Sequence, residues 1–288
     1  MQNYVIYTDT ACDIRPELLK AWGVPSSSQT FKFEGSETEY TNSDMDVTEF
    51  YNKMREGGIA KTSAPNPDAF EKGFEEILKQ GKDILYLGFS TGLSTTYNSA
   101  VIAADTLLPQ YPDRRIITVD TLAASAGFGL ILYLTLEEQK KGATMEEAAD
   151  FAKGLIMGLC HWFTVDDLVY LKRGGRVSPT VAFVGNMLGI KPVLHVDNEG
   201  HLVNVSKARG RKAAITALAD KYGELAEEPG KGPIYISHGD CLADAQRLAD
   251  QLKTRFGATV DLITDVGPVI GAHSGPGTLA LFFMGKER

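Results

Sequence analysis

The chain has little of several things, and each shortage closes a class of function. Its 288 residues hold three cysteines, Cys12, Cys160 and Cys241, widely spaced and odd in number. That pattern fits neither a disulfide framework nor a CxxC metal site. Lys and Arg total 29 against 37 acidic residues, a net charge of −8, which argues against nucleic acid as the main partner. No apolar run approaches the ~20 residues that span a bilayer, so stable membrane insertion is not expected. The N-terminus MQNYVIYTDT lacks a basic region followed by an apolar stretch and a cleavage site, so a cytoplasmic location is expected. What is present, 43% hydrophobic and 23% charged residues, is the composition of a globular protein. The length is generous for one domain and comfortable for two.

Positive charge is also missing from the turns where a polyphosphate would need it. Four stretches rich in Gly, Ser and Thr follow β-rich runs: KTSAPNP from Lys61, STGLSTTYNSA from Ser90, VDTLAASAGFG from Val119 and IGAHSGPG from Ile270. Such turns present backbone N–H groups and small hydroxyls to an anion. After Lys61 none of them contains Lys or Arg, so a single carboxylate suits them better than a multiply charged phosphate. SAGFG has no third glycine at the step a dinucleotide loop requires. Asp120 is one carboxylate and makes no metal site.

The first half alternates apolar runs (Asn3–Thr8, Asp83–Ser90, Arg115–Val119) with amphipathic segments (Val47–Glu56, Pro67–Gln80, Ser94–Leu108, Ala123–Lys140). This order predicts βαβ units and a parallel sheet, with any ligand beyond the carboxyl ends of the strands. Gly142–Cys160 reads as a helix leading out, opened by a Thr144–Glu147 capping box. The second half carries a hairpin from His195 to Val205, helices at Lys212–Leu225 and Leu242–Phe256, and β runs at Pro233–Ser237, Thr259–Ile263, Val269–Ala272 and Leu279–Met284. The expected fold is thus an α/β domain over residues 1–160 and an α+β domain with a largely antiparallel sheet over 161–288.

Charge is uneven along the second half. From Leu168 to Ala219 the only acidic residues are Asp197 and Glu199, against Lys172, Arg173, Arg176, Lys191, Lys207, Arg209, Arg211 and Lys212. A basic face on an acidic body suits docking to an acidic partner.

Taken together with TDTACD, DLVYLKRGGRVSP, GIKPVL, KARGRKAA and SHGD, the four turns occur in the order found in the DegV family, over residues 4–280. The chain resembles these bacterial fatty-acid-binding proteins, some of which serve as the FakB subunit of fatty-acid kinase. The resemblance implies a bound long-chain fatty acid, no cofactor and no catalysis by the chain itself. A separate ATP-binding kinase would phosphorylate the presented carboxyl group to an acyl phosphate.

The residues support these roles unevenly. Thr62 and Ser63 stand before Pro65 and Pro67, where a rigid turn or a carboxylate contact would use them equally well. Ser94 sits where a turn feeds a helix, as an N-cap or an anion contact; it is followed by Thr95 where the family usually has glycine. His273, in a Gly-Pro-Gly turn beside an expected strand end, would hold a carboxylate best when protonated. The resemblance implies that Thr62, Ser63, Ser94 and His273 bind the carboxylate. His238 and the Asp9/Asp13 pair read as caps. Phe183, Met187, Leu188 and Phe282 are ordinary core residues by default and tunnel-lining residues if an acyl chain is bound. By resemblance Arg173 leads the partner-docking candidates, followed by Arg209, Arg176 and Arg211. Two other classes are weighed beside this one. A hydrolase or acyltransferase would use Ser94 with His273 as base, though no GxSxG elbow occurs; a lipid carrier without a kinase would need none of the docking arginines.

Overall fold

The computed structural model describes residues 3–177 and 189–288. Four strands form a parallel sheet in the order Ser26–Ser27, Tyr4–Asp9, Asp83–Gly88, Ile116–Asp120. Strand Asp83–Gly88 is buried at every position, as a parallel strand covered on both faces must be. Helices Pro67–Leu78 and Thr96–Leu107 cover one face through Phe70, Phe74, Ala100, Ala103 and Leu107, against Tyr7, Ile84 and Tyr86. Asn66 caps the first of these helices by accepting from the N–H of Ala69, with Pro67 at its first position, a combination that presets its start.

A second, six-stranded sheet runs in the order Leu202–Arg209, Ile190–Val196, Leu159–Thr164, Leu279–Met284, Tyr235–His238, Leu262–Asp265. Every pairing is antiparallel except the last. The hairpin, the capping box at Thr144 and the α/β plus α+β layout agree with the sequence reading. Strand Leu159–Thr164 is the first of the chain in this sheet, and we propose the domain division near residue 160 on that ground. The expected helix to Cys160 stops at Ile156, because Cys160 already lies in that strand.

Helix Ser125–Lys140 couples the two sheets. Its first eight residues, Ser125–Leu132, are all buried. It lacks a polar stripe for most of its length, the mark of a helix packed on all sides. Ala126, Leu130 and Ile131 share one cluster with Leu85, Leu87 and Val119 on one side and Phe163, Leu194 and Phe282 on the other. Gly127 is required by the packing: a Cβ there would lie 2.5 Å from Phe282 and 2.6 Å from His161.

Two features were not expected. Residues 30–63 contain a small antiparallel sheet, Tyr40–Thr41, Thr30–Phe33, Ala60–Ser63. The stretch Val269–Ala272, read as a strand, belongs to a helix, Pro268–Ser274. Four apolar residues do not distinguish the two by period; Pro268 at the first helical position and tight packing decide it, since a Cβ on Gly271 would meet the Tyr51 hydroxyl at 2.4 Å.

Candidate functional site

A cavity lies where these parts meet; the space between its walls, counting the open solvent at its mouth, is about 830 Å³. Its walls come from the edge strand Ala60–Ser63, the loop after Gly88, the turn before helix Ser125–Lys140, one face of the six-stranded sheet and helix Pro268–Ser274. Alternation along strands decides the floor: His161 and Phe163 point into it with their cross-strand partners Phe282 and Ala280, while Cys160 and Trp162 face the opposite core.

The four residues expected at a carboxylate all line this cavity, brought from three separate segments: strand Ala60–Ser63, the loop bearing Ser94 and helix Pro268–Ser274. Thr62 Oγ1 lies 2.7 Å from His273 Nε2. Burial lowers the His273 imidazole to a pKa of about 4, and the Arg176 cation adds to the effect. The ring is therefore neutral at physiological pH, and not in the protonated form that would favour a carboxylate most. Among the described residues His273 Nδ1 is buried with no partner, and the bond between Nε2 and Thr62 Oγ1 runs in the direction that the ring tautomer sets. Ser63 is exposed at the mouth. The Ser274 hydroxyl, buried on the same wall, also has no partner.

Among the described residues Ser94 makes no hydrogen bond with His273. Its Oγ lies 2.9 Å from Thr96 Oγ1 and accepts from the Thr96 N–H at 3.2 Å, while the His273 ring bonds Thr62. Helix Thr96–Leu107 starts two residues after Ser94, so the serine takes the first N–H of the helix and still faces the cavity. Thr95 is exposed and is not among the lining residues, so this departure from glycine leaves the cavity's width unchanged.

Arg176 is placed differently from the expectation of a docking residue. Its guanidinium lines the cavity, held by Nε donating to the Leu93 carbonyl at 3.1 Å and Nη1 donating to the Gly174 carbonyl. Burial lowers its pKa. Among the described residues it has carbonyl partners and no carboxylate, leaving a positive charge without a counter-ion on the wall that carries Ser94 and His273. The signal was present in KRGGRV, but which arginine turns inward was not readable there. Gly174 lets the turn approach: a Cβ on it would lie 2.3 Å from His273 Nδ1.

Away from these groups the wall is mostly apolar, with Phe89, Leu171, Val196, Leu202, Ile270 and Phe282, interrupted by His161, Ser125, Ser237 and Thr278. Phe282 is 3% exposed and packs in the main core as well. Phe183, Met187 and Leu188 lie outside the described residues. Asp9 and Asp13 act as organisers. Asp9 is fully buried and accepts from Tyr86, Gln29, Phe89 and Ala11. Asp13 accepts from Ser125 Oγ at 2.6 Å and from the N–H of Gly267 at 3.0 Å; Ser125 Oγ in turn meets Ser237 Oγ at 2.9 Å. Burial raises the Asp13 carboxyl to about 7.

Of the other docking candidates, Arg173 and Arg209 are exposed, and Arg173 lies over the Tyr170 ring at 5.8 Å. Arg211 is turned to the protein: Nε donates to Asp244 at 2.8 Å, and Asp166 lies 3.7 Å from Nη1. With 18% of its side chain exposed, it serves the body of the domain and not the free basic face expected of it. No helix among the described residues is long and apolar enough to cross a membrane.

Comparison with known proteins adds to this geometry. The family model described as "Uncharacterised protein, DegV family" matches residues 3–286. A DegV domain-containing protein of Clostridium perfringens is 41% identical over 289 residues, covering 100% of this chain and 99% of its own. A protein of Thermotoga maritima named "Fatty acid-binding protein" is 32% identical over 288 residues, covering 98% of each. The solved structure "Fatty Acid Binding of a DegV family Protein from Thermus thermophilus" superposes with a TM-score of 0.88 at 29% identity, over 99% of this chain and 100% of that one. With the order of its turns, its two-sheet architecture and a match over nearly its whole length in agreement, the chain belongs to the DegV family.

Proposed function

We propose that the protein is a carrier that binds one long-chain fatty acid non-covalently in this cavity and presents its carboxyl group to a partner kinase for conversion to an acyl phosphate. The observation that carries the first part is the division of a single cavity. Thr62, Ser94, a neutral His273 and Arg176, which has no carboxylate partner among the described residues, share it with a mostly apolar wall. Neutral donors orient a carboxylate, the guanidinium balances its charge, and each buried CH₂ of the tail contributes about 0.8 kcal/mol. Ser63 at the mouth completes the carboxylate contacts. Relatives named for fatty-acid binding at about 30% identity point the same way.

The kinase part rests on the resemblance and on the exposed Arg173 and Arg209, basic groups on an acidic chain. Catalysis then belongs to the partner. This chain's residues hold and orient the carboxylate, and the ATP-binding subunit supplies the phosphoryl group.

Native mass spectrometry of protein purified from cells tests the carrier reading, with the released molecule identified after denaturation. About one fatty acid per chain is expected. Protein that arrives empty and also fails to take up added fatty acids overturns it. For the partner, Arg173→Glu with Arg209→Glu is expected to abolish acyl phosphate formation with the kinase while fatty-acid binding persists. Unchanged acyl phosphate formation would overturn the docking assignment.

A further inference from the structure

Strand Leu159–Thr164 reads Leu-Cys-His-Trp-Phe-Thr, buried at every position, and a histidine in its middle is out of keeping with the rest. His161 is 2% exposed, and among the described residues neither ring nitrogen has a hydrogen-bond partner; the backbone of Leu159 comes near but falls short of hydrogen-bond geometry. One side of the ring is closed by Gly127 of the central helix and another by the edge of Phe282, at 5.6 Å between ring centres. The ring nonetheless lines the cavity, on the sheet floor beside Phe163 and Phe282 and apart from the strand and helix that carry Thr62 and His273. Buried polar groups without partners are rare in folded proteins and cost free energy. An apolar residue would fill this position at no such cost.

We propose that His161 is a second polar subsite of the cavity, built to hydrogen-bond a hydroxyl group carried on the acyl chain away from its carboxyl end. The inference rests on the fatty-acid reading of the cavity. Burial holds the imidazole neutral, and a neutral ring offers one N–H donor and one acceptor nitrogen. A secondary alcohol can accept from the N–H or donate to the bare nitrogen, whichever of the two faces it. A saturated chain satisfies neither atom, and on the fatty-acid reading the carboxylate is already held on the wall that carries Ser94, Arg176 and His273. The ligand class is therefore a hydroxylated fatty acid. Phe163, Phe282 and Val196 pack the methylenes on either side of the hydroxyl.

Dissociation constants for octadecanoic acid and its monohydroxy isomers decide the matter, measured by calorimetry on the full chain and on His161→Leu and His161→Gln. Wild-type protein is expected to bind at least one isomer roughly tenfold more tightly than the plain acid, the scale of one buried hydrogen bond gained. His161→Leu should erase that preference while binding the plain acid as well as before, and its melting temperature should not fall. His161→Gln, which keeps a donor and an acceptor, should retain part of the preference. Wild-type protein that prefers no isomer overturns the subsite, as does a preference that survives in His161→Leu. If His161→Leu does not fold, a full preference in a folded His161→Phe overturns it equally. Protein that binds neither the plain nor any hydroxylated acid instead overturns the fatty-acid reading on which the subsite depends.

Discussion

Replacing Arg176 by Met tests whether this guanidinium is the counter-charge of the ligand. Two charges at contact distance, about 4 Å, attract by about 4 kcal/mol at the effective dielectric of a partly buried site. Desolvation of both groups removes part of that, and hydrogen bonds to charged groups leave a net of about 1.5–3 kcal/mol. The dissociation constant of a long-chain fatty acid should therefore rise roughly 10- to 150-fold. The substitution also releases the Leu93 and Gly174 carbonyls, which could loosen the loop bearing Ser94 and weaken any ligand. A fatty alcohol of the same length separates the two effects, since it fills the cavity without the charge. In a cycle of two ligands against two proteins, wild type should bind the acid much more tightly than the alcohol, and Arg176→Met should bring the two together. Fluorescent-probe displacement gives all four constants. An acid and an alcohol weakened equally, or an acid weakened less than about threefold, the margin set by ordinary non-additivity of distant sites, would refute the charge assignment.

Thr62→Val should remove the one hydrogen bond that the His273 ring makes among the described residues. A buried polar group left unpaired costs about 1–3 kcal/mol, readable by urea unfolding together with weaker fatty-acid binding. Asp13, raised by burial to about 7, carries a proton in the folded chain that the unfolded chain has lost, so its contribution to stability is present at low pH. That contribution falls as pH climbs from about 4 to 7. Asp13→Asn should remove this component, so the stability of the variant relative to wild type rises with pH; a flat difference between the two curves would count against it. His273, lowered to about 4, has the opposite sign, with stability rising between about pH 4 and 6.5, and His273→Gln should flatten that limb. Gly200 has φ +81 and a Cβ there would lie 2.2 Å from Ser90 Oγ, the group that bonds the Gly200 carbonyl. Gly200→Ala should lower stability by about 1–3 kcal/mol, seen as a lower melting temperature, and a variant as stable as wild type would show that the hairpin tip is not seated on the Ser90 loop.

Much of the secondary structure was legible because its signals are local. Pro67, the Thr144–Glu147 box and the apolar run from Asp83 each act within a few residues, and each appears where its signal lies. Short segments were legible only in part. Residues 30–33 and 60–63 form strands by pairing with each other across an intervening helix, a contact no window of sequence contains. Val269–Ala272 has no period of its own long enough to distinguish helix from strand.

The sequence by itself determined most of the order of elements, the α/β and α+β layout, and the short stretches that carry Thr62, Ser63, Ser94 and His273. Composition, period and capping are properties of neighbours along the chain. Tertiary structure alone decided the electrostatics of the site. Thr62 and His273 are 211 residues apart in the chain and 2.7 Å apart in space. Whether the imidazole is charged, whether Arg176 faces the cavity while Arg173 faces solvent, and whether His161 finds a partner all depend on desolvation. Desolvation is set by residues that meet only when both sheets close around helix Ser125–Lys140.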